Sequence, residues 1–90
     1  MIVRRTVEIC NERGLHARAS AKFVKLASGY DAEVRVGRDG SMVDARSIMG
    51  LMMLAAGIGS TVDIEAEGPQ AQEAVEALAA LVESRFDEER

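Results

Sequence analysis

Apolar and polar positions alternate from the start of the chain. Val3, Val7 and Ile9 share one side of an extended segment with Arg5, and Arg4, Thr6 and Glu8 share the other. That period of two predicts a first strand with one mostly apolar face. Asn11-Glu12-Arg13-Gly14 then reads as a turn-rich loop. From about Ala17 to Ser28 the period changes: Ala19, Phe23, Leu26, Ala27 and Tyr30 recur at helical spacing, with Arg18, Lys22 and Lys25 on another face and Gly29 placed to end the helix. Ala32, Val34 and Val36 alternate with charged residues as a second strand. The Asp39-Gly40 turn signal follows, and Ser41 to Ala45 reads as the return strand of a hairpin. Ser47 is a good N-cap for a short helix from Ile48 to about Leu54. Gly57 and Gly59 break the chain before a fourth strand, Thr61 to Glu67, in which Val62, Ile64 and Ala66 alternate with acids. Gly68-Pro69 opens a last helix, with proline expected in its first turn, and Ala71, Ala74, Val75, Leu78, Leu81 and Val82 form its apolar stripe. Asp87-Glu88-Glu89-Arg90 reads as a solvated charged tail.

The order is β-α-β-β-α-β-α, an α+β pattern. Strands with one apolar face need helices on that face and leave the other to water. A chain of 90 residues supports one core, so residues 1–90 are expected to form a single domain. No internal repeat, linker or low-complexity stretch interrupts it.

Charge and composition narrow the function. The net charge is -4 and only two Phe and one Tyr are present, which argues against a nucleic-acid partner held by a positive field or by base stacking. No apolar run approaches the ~20 residues of a membrane span, and the start of the chain lacks the apolar core of a signal peptide. The expected location is the cytoplasm, with no membrane partner. A single cysteine, Cys10, rules out an internal disulfide; it reads either as a reactive thiol or, the favoured reading, as a small buried hydrophobe. One Cys and one His cannot make a Cys/His zinc site, so no metal and no cofactor is expected.

The chemistry concentrates at the one histidine. His16 lies in Gly14-Leu15-His16-Ala17-Arg18, where the first loop enters the first helix. A helix start presents unpaired N–H groups and the positive end of the dipole, both of which hold phosphate. The N–H groups of Ala17 and Arg18 are placed for this, and the Arg18 guanidinium can clamp phosphate oxygens. The same field favours a neutral, nucleophilic imidazole. From the residues alone two readings stay open. His16 is either an N-cap or surface histidine in a small regulatory module that binds a metabolite or partner, or a phosphoryl acceptor.

Gly14-Leu15-His16-Ala17-Arg18 resembles the active-site motif of HPr, the histidine-containing phosphocarrier of the bacterial phosphotransferase system. Ala45-Arg46-Ser47-Ile48-Met49-Gly50-Leu51 resembles that family's second signature, at matching spacing. Tyr30-Asp31-Ala32-Glu33-Val34, Leu51-Met52-Met53-Leu54, Glu65-Ala66-Glu67-Gly68-Pro69-Gln70 and Phe86-Asp87-Glu88-Glu89 are similar to the nitrogen-related branch. The resemblance implies an open-faced β-sandwich, a four-stranded antiparallel sheet covered on one face by three helices. It implies that Enzyme I, charged from phosphoenolpyruvate, donates to His16 Nδ1 to give a pros-phosphohistidine, and that a IIA-type protein accepts the group. Such a protein is a monomeric phosphoryl-transfer intermediate rather than a self-sufficient catalyst. It also implies a serine kinase/phosphorylase acting at Ser47 in some members. The chain departs from the family where proline usually follows the motif arginine; here that residue is Ala19, which implies a looser helix entry.

The second helix is apolar nearly all round. One buried side cannot use all of that surface, so Ile48, Met49 and Met52 are expected to face partners, with Leu51 and Leu54 inward. Arg18, Lys22 and Lys25 are expected to flank this patch and favour acidic partners.

Overall fold

A computed structural model describes residues 1–90. The elements are β1 (Ile2–Glu8), α1 (Ala17–Ala27), β2 (Glu33–Arg38), β3 (Ser41–Asp44), α2 (Ile48–Met53), β4 (Thr61–Glu67) and α3 (Ala71–Glu83), followed by a short 3₁₀ turn, Arg85–Asp87. All pairings are antiparallel and the strand order is β1-β4-β2-β3. The last strand therefore sits between the first two, with Val3 opposite Ala66 and Val34 opposite the same residue from the other side. Each inward position of β4, namely Val62, Ile64 and Ala66, is fully covered.

The alternation read from the sequence is the alternation observed. Val7 of β1, Val34 and Val36 of β2 and the three β4 residues line the helix side together with Ile9. Arg4, Arg35 and Glu65 form an ion-pair chain on the open side. The β2–β3 hairpin turns through Asp39 and Gly40, at φ 52 and 86. Two left-handed residues in a two-residue loop match the right-handed twist of the strands, which is why Asp-Gly is suited to it.

The helices form one layer. Ala19, Phe23 and Ala27 of α1, Leu51 and Leu54 around α2, and six residues of α3 close the core. Phe86, beyond the end of α3, is also fully buried. Two details differ from the sequence pattern. Pro69 lies just outside the last helix, which begins at Ala71 after Gln70. Cys10 is half-buried, with its thiol turned toward the Val82 carbonyl at 3.4 Å. No helix is long and apolar enough to cross a membrane.

Candidate functional site

The loop between β1 and α1 is fixed by backbone contacts before any functional side chain enters. The Gly14 N–H donates to Asn11 O at 3.2 Å and the Leu15 N–H to Ala56 O at 3.0 Å. Gly14 sits at φ +63, and a Cβ there would run into the backbone of Ala56 and Gly57. Only glycine allows this close approach. Leu15 is buried, and its carbonyl accepts the hydroxyl of the buried Ser20 at 3.1 Å. These contacts anchor the residues on either side of His16.

His16 is the N-cap of α1, with extended backbone, and its Nδ1 accepts the Arg18 N–H at 3.3 Å. Its Nε2 faces Glu88 Oε2 at 2.5 Å. Assigned from these two contacts, hydrogen resides on Nε2 and the Nδ1 lone pair points to the open end of the helix. Ala17 and Arg18 are exposed there, and their N–H groups belong to the first turn, which has no intrahelical acceptor for them. Ala19 is fully buried inside α1, so an ordinary helical start forms with alanine after Arg18.

Glu88 overturns the expectation of a solvated tail. The Arg85-Phe86-Asp87 backbone is left-handed throughout, at φ 61, 54 and 61. That turn sends the chain back over the site. The Phe86 ring plugs into the core, and its carbonyl accepts Lys22 Nζ at 2.6 Å. The Glu12 N–H donates to Arg90 O at 2.9 Å. Glu88 then receives His16 on one carboxylate oxygen and Asn11 Nδ2, at 3.1 Å, on the other. Asn11 is fully buried and uses the same amide group to hold Gly14 O at 2.9 Å. Burial by itself would raise the Glu88 pKa. The hydrogen bonds from His16 and Asn11 and the positive charge of Lys22 outweigh it and hold the carboxyl below its ordinary 4.5.

His16 stands between two surfaces. On one side a shallow depression of about 310 Å³ is lined by Arg13, Leu15, Met52 and residues 55–57. On the other a polar cleft of about 530 Å³ runs between Arg13, Arg18 and Lys22 and the segment 87–90. The basic side chains are thus divided differently from the sequence expectation. Lys22 is turned to the tail, and Lys25 lines a groove with Leu26, Tyr30 and Leu81, away from α2. The α2 surface follows the expectation: Leu51 and Leu54 are buried, and Ile48, Met49 and Met52 are exposed. Met53 at 78% and Ile58 at 61% extend the exposed apolar patch beyond those three. Ser47 caps α2, its hydroxyl accepting the Gly50 N–H at 2.9 Å. Arg38 closes the other end, Nη1 donating to Leu54 O and Ala55 O at 2.9 and 3.0 Å.

The family profile described as PTS HPr component phosphorylation site matches residues 3–84, nearly the whole chain and both loops of this site. The chain belongs to the HPr family. It is therefore a phosphocarrier of the phosphotransferase system. It is 55% identical to phosphocarrier protein HPr of Cupriavidus necator, over 97% of this chain and 98% of that one. It is 44% identical to phosphocarrier protein NPr of Escherichia coli K12, over 99% and 100%. Among solved structures, HPr-C-His from Thermoanaerobacter tengcongensis superposes with a TM-score of 0.93 at 44% identity, covering 98% of this chain and 99% of that one. The HPr-like open-faced sandwich expected from the sequence is the fold observed.

Proposed function

We propose that His16 is the residue of this HPr-family protein that carries the phosphoryl group, on Nδ1, as a pros-phosphohistidine. The donor is Enzyme I charged from phosphoenolpyruvate, and the acceptor is a IIA-type protein of the sugar-uptake or nitrogen-related circuit. The observation that carries this is the direction of the ring. Nδ1 has its lone pair at the N-terminus of α1, beside the N–H groups of Ala17 and Arg18, while Nε2 is engaged by Glu88. A phosphoryl group on Nδ1 meets the positive end of the helix and comes within reach of the Arg18 guanidinium. Arg18 is exposed, so it acts on the phosphate more than on the fold. The protein works in the cytoplasm as a monomer and needs no cofactor.

Partners dock on α2. Ile48, Met49 and Met52 meet Enzyme I and the acceptor, and Met52 leads from that patch into the depression beside His16. Lys22 and Lys25 contribute positive charge on the far side of the histidine. Ser47 is a target for a serine kinase/phosphorylase. A phosphate of about -2 charge at a helix N-terminus is tolerated by the helix, yet it sits beside the apolar patch and repels an acidic partner.

Incubation with phosphoenolpyruvate and Enzyme I tests the main assignment. An acid-labile, base-stable phosphoprotein is expected, absent from His16→Ala at an unchanged fold; full labelling of that variant refutes it. Arg18→Ala should slow transfer while changing stability by only about 0.5 kcal/mol. Ser47→Asp should slow transfer at an unchanged melting temperature. Transfer to a panel of IIA proteins separates the two circuits.

A further inference from the structure

We propose that Glu88 is a positioning residue for phosphoryl transfer, holding the His16 ring through Nε2 and balancing the charge that the ring acquires when Nδ1 is phosphorylated. This rests on the assignment of His16 as the acceptor and adds the segment after α3 to the site.

Four observations carry it. The Glu88 carboxylate meets Nε2 at 2.5 Å, on the side of the ring opposite the reacting nitrogen. It is well enclosed, with its side chain 18% exposed against 23% for His16. Its second oxygen is held by Asn11, which also fixes the carbonyl of Gly14 two residues before His16. The segment is anchored independently on both sides, by the buried Phe86 ring and by the contact of Glu12 with Arg90. A carboxylate that orients an imidazole through its remote nitrogen fixes the tautomer and raises the basicity of the other nitrogen.

The step balances without a proton transfer. The Nδ1 lone pair attacks the donor's phosphorus, and the donor–phosphorus bond breaks with its electron pair staying on the donor. Nε2 keeps its hydrogen, so the phosphorylated ring carries one positive charge, opposite the one negative charge of Glu88. On delivery the acceptor attacks phosphorus, and the P–N electron pair returns to Nδ1. A ring that keeps its Nε2 proton is the better leaving group, so Glu88 keeps the phosphoryl group transferable.

The charged groups around the ring come from known places. Arg13 lies in the preceding loop, and Arg18 and Lys22 lie on α1. Glu12, Asp87, Glu89 and Arg90 line the same cleft at greater exposure than Glu88. The depression on the α2 side of the ring is formed by Leu15, Met52, Ala55, Ala56 and Gly57, and Arg13 is the one ionisable neighbour that reaches it.

The test is the rate of phosphoryl loss from the purified, phosphorylated chain as a function of pH, for wild type, Glu88→Gln, Glu88→Ala and the neighbouring Glu89→Gln. Loss is fast where the ring is protonated and slow where it is not. Both Glu88 variants should move the midpoint of that profile down by about one pH unit, giving about tenfold slower loss above both midpoints. Glu89→Gln should follow wild type. A purely structural Glu88 would change melting temperature and leave the midpoint in place. Midpoints that coincide in all four proteins overturn the role of Glu88 while leaving His16 as acceptor. Label found on a residue other than His16 in the wild type overturns both.

Discussion

Replacing Phe86 by alanine should release the segment 85–90 rather than leave a rigid hole. Two quantities decide this. Burying a phenylalanine ring contributes at most about 3 kcal/mol, and Phe86 is fully covered. Against it, Arg85, Phe86 and Asp87 all hold left-handed backbone without being glycine, at about 1 kcal/mol each. The ring thus roughly offsets the strain of its own turn. Without it, the hydrogen bonds from Lys22, Asn11 and Glu12, each worth about 1 kcal/mol net, must also oppose the ordering entropy of six residues. They cannot, and the turn relaxes. The loss of global stability should therefore stay below about 3 kcal/mol, under the whole of the roughly 3–5 kcal/mol range typical for truncating a core aromatic. Amide exchange and denaturant melts would be measured together. Fast exchange across residues 85–90, a protected sheet and loss of the Glu88 contact from the His16 ring are expected. Continued protection of 85–90 with a loss above 4 kcal/mol would refute the balance of ring against strain.

Gly14→Ala should destabilise the domain by at least about 2 kcal/mol, through left-handed strain and overlap with the backbone of Ala56 and Gly57, read by melting temperature. Leu51→Ala should cost about 2–5 kcal/mol because the side chain is fully buried. Met52→Ala should cost under about 1 kcal/mol yet weaken binding to Enzyme I, followed by chemical shifts of residues 48–52; unaltered shifts on adding Enzyme I would leave the patch without a docking role. The Glu88 carboxyl is held below its ordinary 4.5 in the folded state, so around that pH the unfolded chain binds more protons. Its stabilisation is present above pH 4.5 and is lost as pH falls through the folded value, and the melting-temperature gap between wild type and Glu88→Gln should shrink over that window.

The sheet and helices were legible because each has a period. Val62, Ile64 and Ala66 could face only one way, and Phe23 with Ala27 could only be one side of a helix. The apolar excess of Ile48 to Leu54 was also a valid sign, since Ile48, Met49, Met52 and Met53 are the ones left outside. His16 at a helix start was readable from Gly14 and Arg18 together. Glu88 was not. A turn made of Arg85, Phe86 and Asp87 carries no glycine signal, and charged residues beyond a helix normally face water. The only pointer was Phe86 itself, four residues beyond Val82 and thus a continuation of the α3 stripe among polar residues. The direction of Lys22 was hidden for the same reason, because its partner is a carbonyl in that turn.

With His16 as the proposed acceptor, Nδ1 does two jobs, since the lone pair offered to a phosphoryl donor is the one that caps α1. Loading the ring withdraws that acceptor from the Arg18 N–H and puts phosphate oxygens within its reach. The helix exchanges one cap for another and is never left bare. On that proposal loaded and unloaded forms share a backbone, and charge is what a partner has to tell them apart. Donor and acceptor can therefore recognise one rigid shape, and the direction of traffic is set by which of them arrives carrying phosphate.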